Sequence, residues 1–256
     1  MRGDFNVVAS GDEAGCVCLW DFRASDPLIV EFSEHSDYVG DLGVTADGRQ
    51  LISASADATI AAYSVSGKKL MVQSEEFSAE CLSVCHVSTL EGGDYFAVGG
   101  GDAHVSLFRQ GEYGNLLDRL DTRHKETVDC VRSVPEQDNF LLTASNDDGS
   151  IKLCHLHPHR VLATLGHHED GTEEMAVTAD GRWVLSVGHD SALRFWHLES
   201  AIQQVPVEEL KRCSAKKVLK KMRVSTAVSD PDFFQRLDSG KLDVPTSTIS
   251  DSELSD

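Results

Sequence analysis

Apolar and polar positions alternate with a period of two in short runs over the first 200 residues, and clusters of turn residues separate the runs. "VLSVGHDSALRFW" (184–196) shows the unit: two apolar residues, a small polar one, a Gly/Asp turn, then alternating apolar positions ending in an aromatic. Four further segments share it: "VASGDEAGCVCLW" (8–20), "LISASADATIAAY" (51–63), "FAVGGGDAHVSLF" (96–108) and "LTASNDDGSIKLC" (142–154). They end at Trp20, Tyr63, Phe108, Cys154 and Trp196, at intervals of 43, 45, 46 and 42 residues. Two more strand-like runs lie between successive units, for example "LIVEF" (28–32) with "VGDLGVT" (39–45). Period-two alternation broken by turns predicts strands, so each repeat is read as four short antiparallel strands in an all-β fold. "TADGR" recurs at 45–49 and 178–182 as a predicted hairpin turn, in which Asp-Gly supplies the positive φ.

With these units in register, the chain resembles the WD-repeat β-propellers over roughly residues 5 to 200. Trp20-Asp21 is the dipeptide of that family; it has drifted to Tyr63-Ser64, Phe108-Arg109, Cys154-His155 and Trp196-His197. The resemblance implies a buried hydrogen-bond network in each blade, built from a His, a Ser/Thr, a turn Asp and an aromatic. Asp57 and Asp190 stand six residues before their aromatic, and Ser53 and Ser186 ten before it. The networks expected are therefore His35, Ser53, Asp57 and Tyr63 in one blade, and His167 or its neighbour His168 with Ser186, Asp190 and Trp196 in another. A buried polar group without a partner costs about 1–3 kcal/mol, which is why a blade closes such bonds on itself. Three units depart from the pattern: Val98 replaces the Ser of the third, "SNDDGS" lengthens the turn of the fourth, and Ala14 occupies the turn Asp position of the first. Those blades are expected to be less rigidly fixed.

Four full repeats plus the last two strands of another amount to about four and a half blades, an incomplete propeller. A closed ring of seven would need about 300 residues at this period. The sequence is therefore expected to be an N-terminally truncated form of a longer protein, with a smaller or intermolecularly closed ring as the alternative. The organisation expected is a partial propeller at 1–200, a linker with a basic amphipathic segment at 201–224, and a disordered polar tail at 225–256.

The candidate chemistry changes this picture little. His189, Asp190 and Ser191 are the residue types of a catalytic triad, but Asp190 is read as a turn residue and Ser191 as the start of a strand. Adjacent strand residues point to opposite faces, so the three would not converge on one substrate atom. "GHHEDG" (166–171) is read as an inter-strand loop and "HLHPH" (155–159) as a solvated turn, because metal ligands normally come from several segments at fixed spacing. No catalytic, cofactor or metal site is expected. The seven cysteines form no CxxC pair and are read as reduced thiols of an intracellular protein, and no apolar run approaches a membrane span.

Of the formal charge of −19, the first 206 residues carry all, with 14 basic against 33 acidic residues. Such a surface repels phosphate and favours protein partners. The tail differs: Lys211, Arg212, Lys216, Lys217, Lys220, Lys221 and Arg223 place seven cations in 13 residues, alongside Val207, Leu210, Val218, Leu219 and Met222 at roughly helical spacing. A solvated helix, a nuclear or nucleolar address, and an RNA contact are the readings of that segment.

Within the family, the order of "SGDEAGCVCLWDFR", "VGGGDAHVSLF", "HKETVDCVRSV" and "VLSVGHDSALRFWHL", followed by a Lys-rich tail with "DFF", resembles a branch implicated in ribosomal RNA processing and ribosome biogenesis. That resemblance implies a non-enzymatic scaffold in the nucleus and nucleolus, with the cytoplasm as a further location and pre-ribosomal factors as partners. "LWDFR" (19–23) supports a second reading. A Trp-Asp-x-Arg blade end resembles the substrate receptors that dock on the damaged-DNA-binding adaptor of cullin-4 ubiquitin ligases. Trp20, Asp21 and Arg23 would form the docking site, with Arg23 offering a planar charged fork to an acidic surface.

Overall fold

A computed structural model of the protein describes residues 7–89, 93–135 and 139–206. Among these residues, eighteen strands form five antiparallel sheets whose order follows the chain. Blade 1 contains β1 (Val7–Gly11), β2 (Val17–Asp21) and β3 (Leu28–Phe32). Blade 2 contains β4 (Val39–Val44), β5 (Gln50–Ser55), β6 (Ile60–Ser64) and β7 (Lys69–Gln73). Blade 3 contains β8 (Cys81–Thr89), β9 (Gly93–Gly100), β10 (His104–Arg109) and β11 (Asp118–Asp121). Blade 4 contains β12 (Cys130–Ser133), β13 (Phe140–Ala144), β14 (Ser150–Leu156) and β15 (His159–His167). Blade 5 contains β16 (Thr172–Val177), β17 (Trp183–Gly188) and β18 (Leu193–His197), and a short helix α1 (Leu198–Gln204) follows it. The architecture is that of an incomplete β-propeller, in which β4, β8, β12 and β16 are the successive inner strands and pack side by side.

Alternation within each strand sends one set of side chains into each inter-blade layer. Val17 and Leu19 of blade 1 pack with Leu51, Ala61 and Tyr63 of blade 2. Ile52, Ala54, Ile60 and Ala62 leave the other face of blade 2 to meet Cys81, Val84, Phe96, Val98 and Phe108 of blade 3. Val105, Leu107 and Leu120 then meet Val128, Val131, Leu141 and Cys154 of blade 4. One element thus serves two cores, as successive blades require.

The repeated "TADGR" turns have the same geometry in blades 2 and 5. Thr45 Oγ1 donates to Asp47 at 2.6 Å and Thr178 Oγ1 to Asp180 at 2.5 Å, while Gly48 and Gly181 take φ of 67° and 66°. Two local expectations are corrected. Ser191 does not open a strand: it sits in the turn with φ of 58°, and β18 begins at Leu193. "HLHPH" is mostly hairpin strand, with His155 1% exposed against Phe140, because β14 runs on to Leu156 before the chain reverses. The expected boundary at residue 200 falls inside α1, whose Leu198, Ala201 and Ile202 are buried.

Candidate interaction sites on the blades

In blades 2 and 5 the histidine of the polar network stands four residues ahead of the inner-strand edge. In blade 2, His35 Nε2 lies 2.6 Å from Ser53 Oγ, His35 Nδ1 lies 3.0 Å from Asp57, and Ser53 Oγ lies 3.5 Å from the Tyr63 hydroxyl. Burial alone would raise the pKa of Asp57, but hydrogen bonds from Thr59, the Ser36 amide and His35 outweigh it and hold the pKa down. Burial pushes the Tyr63 phenol up to about 12.

In blade 5 the histidine is His168. Its Nε2 lies 2.7 Å from Ser186 Oγ and its Nδ1 2.8 Å from Asp190, and Trp196 Nε1 donates to Ser186 Oγ at 2.8 Å. His167, the first of the two histidines offered for this network on sequence grounds, ends β15 and is exposed, while its neighbour His168 follows the strand and is buried. Asp190 is held well below the usual carboxylate range, chiefly by the His168 hydrogen bond. Trp196 reaches its place because Gly166 has no side chain: a Cβ there would stand 2.1 Å from the indole. His189 pairs instead with Glu173, so His189, Asp190 and Ser191 do not form a triad.

Two constellations were missed on sequence grounds. Blade 4, expected to be loosely fixed, closes a network of its own: His124 Nε2 lies 2.9 Å from Thr143 Oγ1, and His124 Nδ1 lies 3.2 Å from both oxygens of Asp148. Asp148 keeps the spacing of six before Cys154, whereas the longer turn moves the hydroxyl residue to eleven before it. The signal was present in the distance from histidine to hydroxyl residue: His124 stands 19 residues before Thr143, against 18 for His35 and Ser53 and for His168 and Ser186.

The second constellation bridges inner strands. Arg132 of β12 reaches Asp41 of β4 at 3.2 Å and grips both oxygens of Glu174 of β16 at 2.8 and 2.9 Å. Register shifts before Asp41 and before Glu174 place both at equivalent inner-strand positions. Cys130 Sγ adds a contact to Glu174 at 3.0 Å. Three blades are thereby clamped by one guanidinium, whose planar fork suits this two-sided geometry.

At the other end, Arg23 folds back on Asp21: Nε and Nη2 donate to the two carboxylate oxygens at 2.9 and 2.8 Å. This fork lowers the Asp21 pKa to about 2. Phe22 between them is 70% exposed and stacks on Trp20, whose Nε1 donates to Ser10 at 2.8 Å. The turn after β2 thus presents an aromatic ring and an oriented cation on one short projection. Among the described residues, no group of three or more His, Cys, Asp or Glu is arranged to hold a metal ion. The basic residues Lys211, Arg212, Lys216, Lys217, Lys220, Lys221 and Arg223 and the 225–256 tail lie outside the described residues.

Comparison with known proteins agrees with this architecture. The "WD domain, G-beta repeat" family pattern matches residues 26–64 and 159–197, each running from the last strand of the preceding blade through the first three strands of blades 2 and 5. WD repeat-containing protein 55 of Homo sapiens is 31% identical over 235 residues, 91% of this chain and 59% of the relative. The protein of the same name from Bos taurus is 30% identical over 251 residues, 98% of this chain and 63% of the relative. The chain thus spans about three fifths of the length of these relatives. A solved chain in "Crystal Structure of Mitotic Checkpoint Complex" superposes with a TM-score of 0.67 over 75% of this chain and 59% of its own length, at 19% identity, and so shares the fold. Five consecutive antiparallel blades, His–Ser–Asp–aromatic networks in blades 2 and 5, and relatives named for this repeat place the chain in the WD-repeat family of β-propellers.

Proposed function

We propose that the protein is a non-enzymatic interaction scaffold in ribosomal RNA processing and ribosome biogenesis, acting in the nucleus and nucleolus. WD-repeat proteins are in general scaffolds for protein–protein contact, and this chain is homologous to WD repeat-containing protein 55. The observation that carries the scaffold reading is where the polar chemistry goes. The histidines and aspartates with the geometry for proton transfer are turned inward and engaged with one another, as in His35–Asp57, His124–Asp148 and His168–Asp190. The acidic surface of residues 1–206 favours protein partners, while the cations of 211–223 supply an address or an RNA contact. The ribosomal assignment rests on the resemblance in the order of the repeat motifs. Affinity purification from nuclear extract, with and without RNase, tests it together with precursor ribosomal RNA levels after depletion. Pre-ribosomal factors and delayed maturation are expected; normal maturation and no such factors would overturn it.

A second reading is favoured by the Trp20–Phe22–Arg23 projection, namely docking on the cullin-4 ligase adaptor. The Asp21 carboxylate holds the Arg23 guanidinium in a fixed orientation at low entropic cost. Arg23→Ala is expected to abolish co-purification of the adaptor with an unchanged circular dichroism spectrum, and retained adaptor would sink this reading.

A further inference from the structure

Blade 3 carries a cavity of about 200 Å³ where the polar blades carry their histidine network. Phe77, Ala79, Cys81, Val98 and Leu116 form its apolar wall. Phe77 stands four residues ahead of β8, as His35 does ahead of β4, and Val98 stands ten residues before Phe108, as Ser53 does before Tyr63. With both polar residues replaced, the His–Ser–Asp bonds of blades 2 and 5 have no counterpart here among the described residues. A water occupies about 30 Å³ of liquid, so the cavity has room for several waters or for one large apolar side chain. Ser78, Glu80, Asp102, Ser106 and Arg119 also line the cavity and can hold water on their side, whereas waters against the apolar wall would find few partners, which favours an apolar occupant there.

The walls are fixed. The Phe77 amide donates to the Ala58 carbonyl at 2.8 Å, and the Gly101 amide donates to the Glu80 carbonyl at 3.0 Å, so the loop over the cavity is pinned to blade 2 at one end and to blade 3 at the other. The rim is apolar on one side, where Leu116 and Leu117 are 41% and 46% exposed. Three charged residues line the cavity; Asp102 and Arg119 pair with each other, which leaves the exposed Glu80 carboxylate facing its mouth. Glu75 and Glu76 are exposed on the same loop. An apolar socket beside carboxylates that have no ion pair among the described residues complements an apolar side chain flanked by cations.

We infer that the cavity beneath the 77–80 loop of blade 3 receives an apolar side chain of a basic peptide segment in a partner protein, with Glu80 pairing a neighbouring Lys or Arg. The inference rests on the scaffold reading and names the class of partner. Prior fixing of the loop favours binding, because little order has to be created on association.

Full-length protein, titrated at physiological salt with a fluorescein-labelled Lys-Lys-Leu-Lys-Lys peptide, gives the test by anisotropy. The leucine peptide is expected to bind at least ten-fold tighter than Lys-Lys-Ser-Lys-Lys and than Glu-Glu-Leu-Glu-Glu. Ser106→Leu, which fills the cavity, is expected to weaken it about ten-fold, and the surface change Glu80→Lys about five-fold, which remains decisive if Ser106→Leu fails to fold. Equal binding of the leucine and serine peptides would mean attraction by net charge alone and overturn the inference. So would the absence of saturable binding, a preference for the acidic peptide, or unchanged affinity in a folded variant. The titration contains no RNA or pre-ribosomal factor, so its failure leaves the ribosomal reading standing, and failure of that reading in cells leaves the cavity result intact.

Discussion

In blade 2, the residue four ahead of the inner strand is His35, bonded to Ser53 and Asp57; in blade 3 it is Phe77, whose ring lies 5.5 Å from that of Phe108. The two blades share a strand plan and a common core, yet one closes its corner with polar bonds and the other with apolar contact. Both arrangements are internally consistent. Replacing both partners of a buried hydrogen bond by apolar groups is nearly neutral, whereas replacing one strands the other. The pairing of Phe77 with Val98 is such a joint replacement, and the cost it leaves is imperfect filling of space.

Mixing the two chemistries within one blade costs the most. His35→Phe leaves Ser53 Oγ without its 2.6 Å partner and removes one bond from Asp57, and is expected to cost about 3 kcal/mol in urea unfolding. Adding Ser53→Val is expected to recover about 1 kcal/mol relative to the sum of the single changes, because the pair is coupled. Additive costs would show that the network does not act as a unit. The reverse graft, Val98→Ser, buries a hydroxyl beside Phe77 and removes apolar contact, for an expected loss of about 2 kcal/mol. A neutral effect would show that water already occupies the blade 3 cavity.

The acid response sharpens the contrast, since blade 3 lacks the buried histidine of its neighbours. Burial lowers the pKa of His124, so the unfolded chain takes up a proton near pH 6.5 while the folded chain resists. Stability from this group is complete above about pH 6.5 and declines as the pH falls below it. Asp57 and Asp148 follow at lower pH. Burial would raise both, but hydrogen bonds from Thr59 and Ser150 and the neighbouring amides and histidines lower them, so their contribution holds above about pH 4 and is lost below it. The urea midpoint is expected to fall in two stages on acidification, and His124→Phe with Thr143→Val to reduce the first, to which buried His155, its pKa also lowered by burial, contributes the same sign. A first stage of undiminished size in that variant would take His124 out of it.

The legibility of the sequence follows from range. Repeat period, strand alternation and the Asp-Gly turns are local, and they were readable because each depends on residues within a few positions. The blade 2 network was readable for the same reason, since Ser53, Asp57 and Tyr63 occupy one template. The choice between His167 and His168 stayed open because adjacent histidines differ only in the face they take, which the end of β15 decides. The blade 4 network was hidden by Cys154 in the aromatic position and by one additional turn residue. The Arg132 clamp left no local trace: Asp41 is 91 residues away and Glu174 is 42 away, and only the packing of inner strands brings them together.

The smallest effect, and the most local, is read through the thiols at the seam between the two blades. Burial pushes Cys81, Cys85 and Cys154 up to about 12 and Cys130 well above its ordinary value, while Cys16 and Cys18 of blade 1 are half-buried. Thiolate is the reactive form, so native alkylation at pH 8 is expected to reach Cys16 and Cys18 first among the described cysteines. Cys81 packs with Ile52 and Ala54 of blade 2, whereas Cys154 lies in the next layer, with Val105 and Leu107 of blade 3. Opening the blade 2 corner with His35→Phe should therefore expose Cys81 before Cys154 in a time course read by mass spectrometry. Simultaneous labelling of Cys81 and Cys154 would mean that the blades unfold as one cooperative unit, and that the polar corner of blade 2 stabilises its neighbours as much as itself.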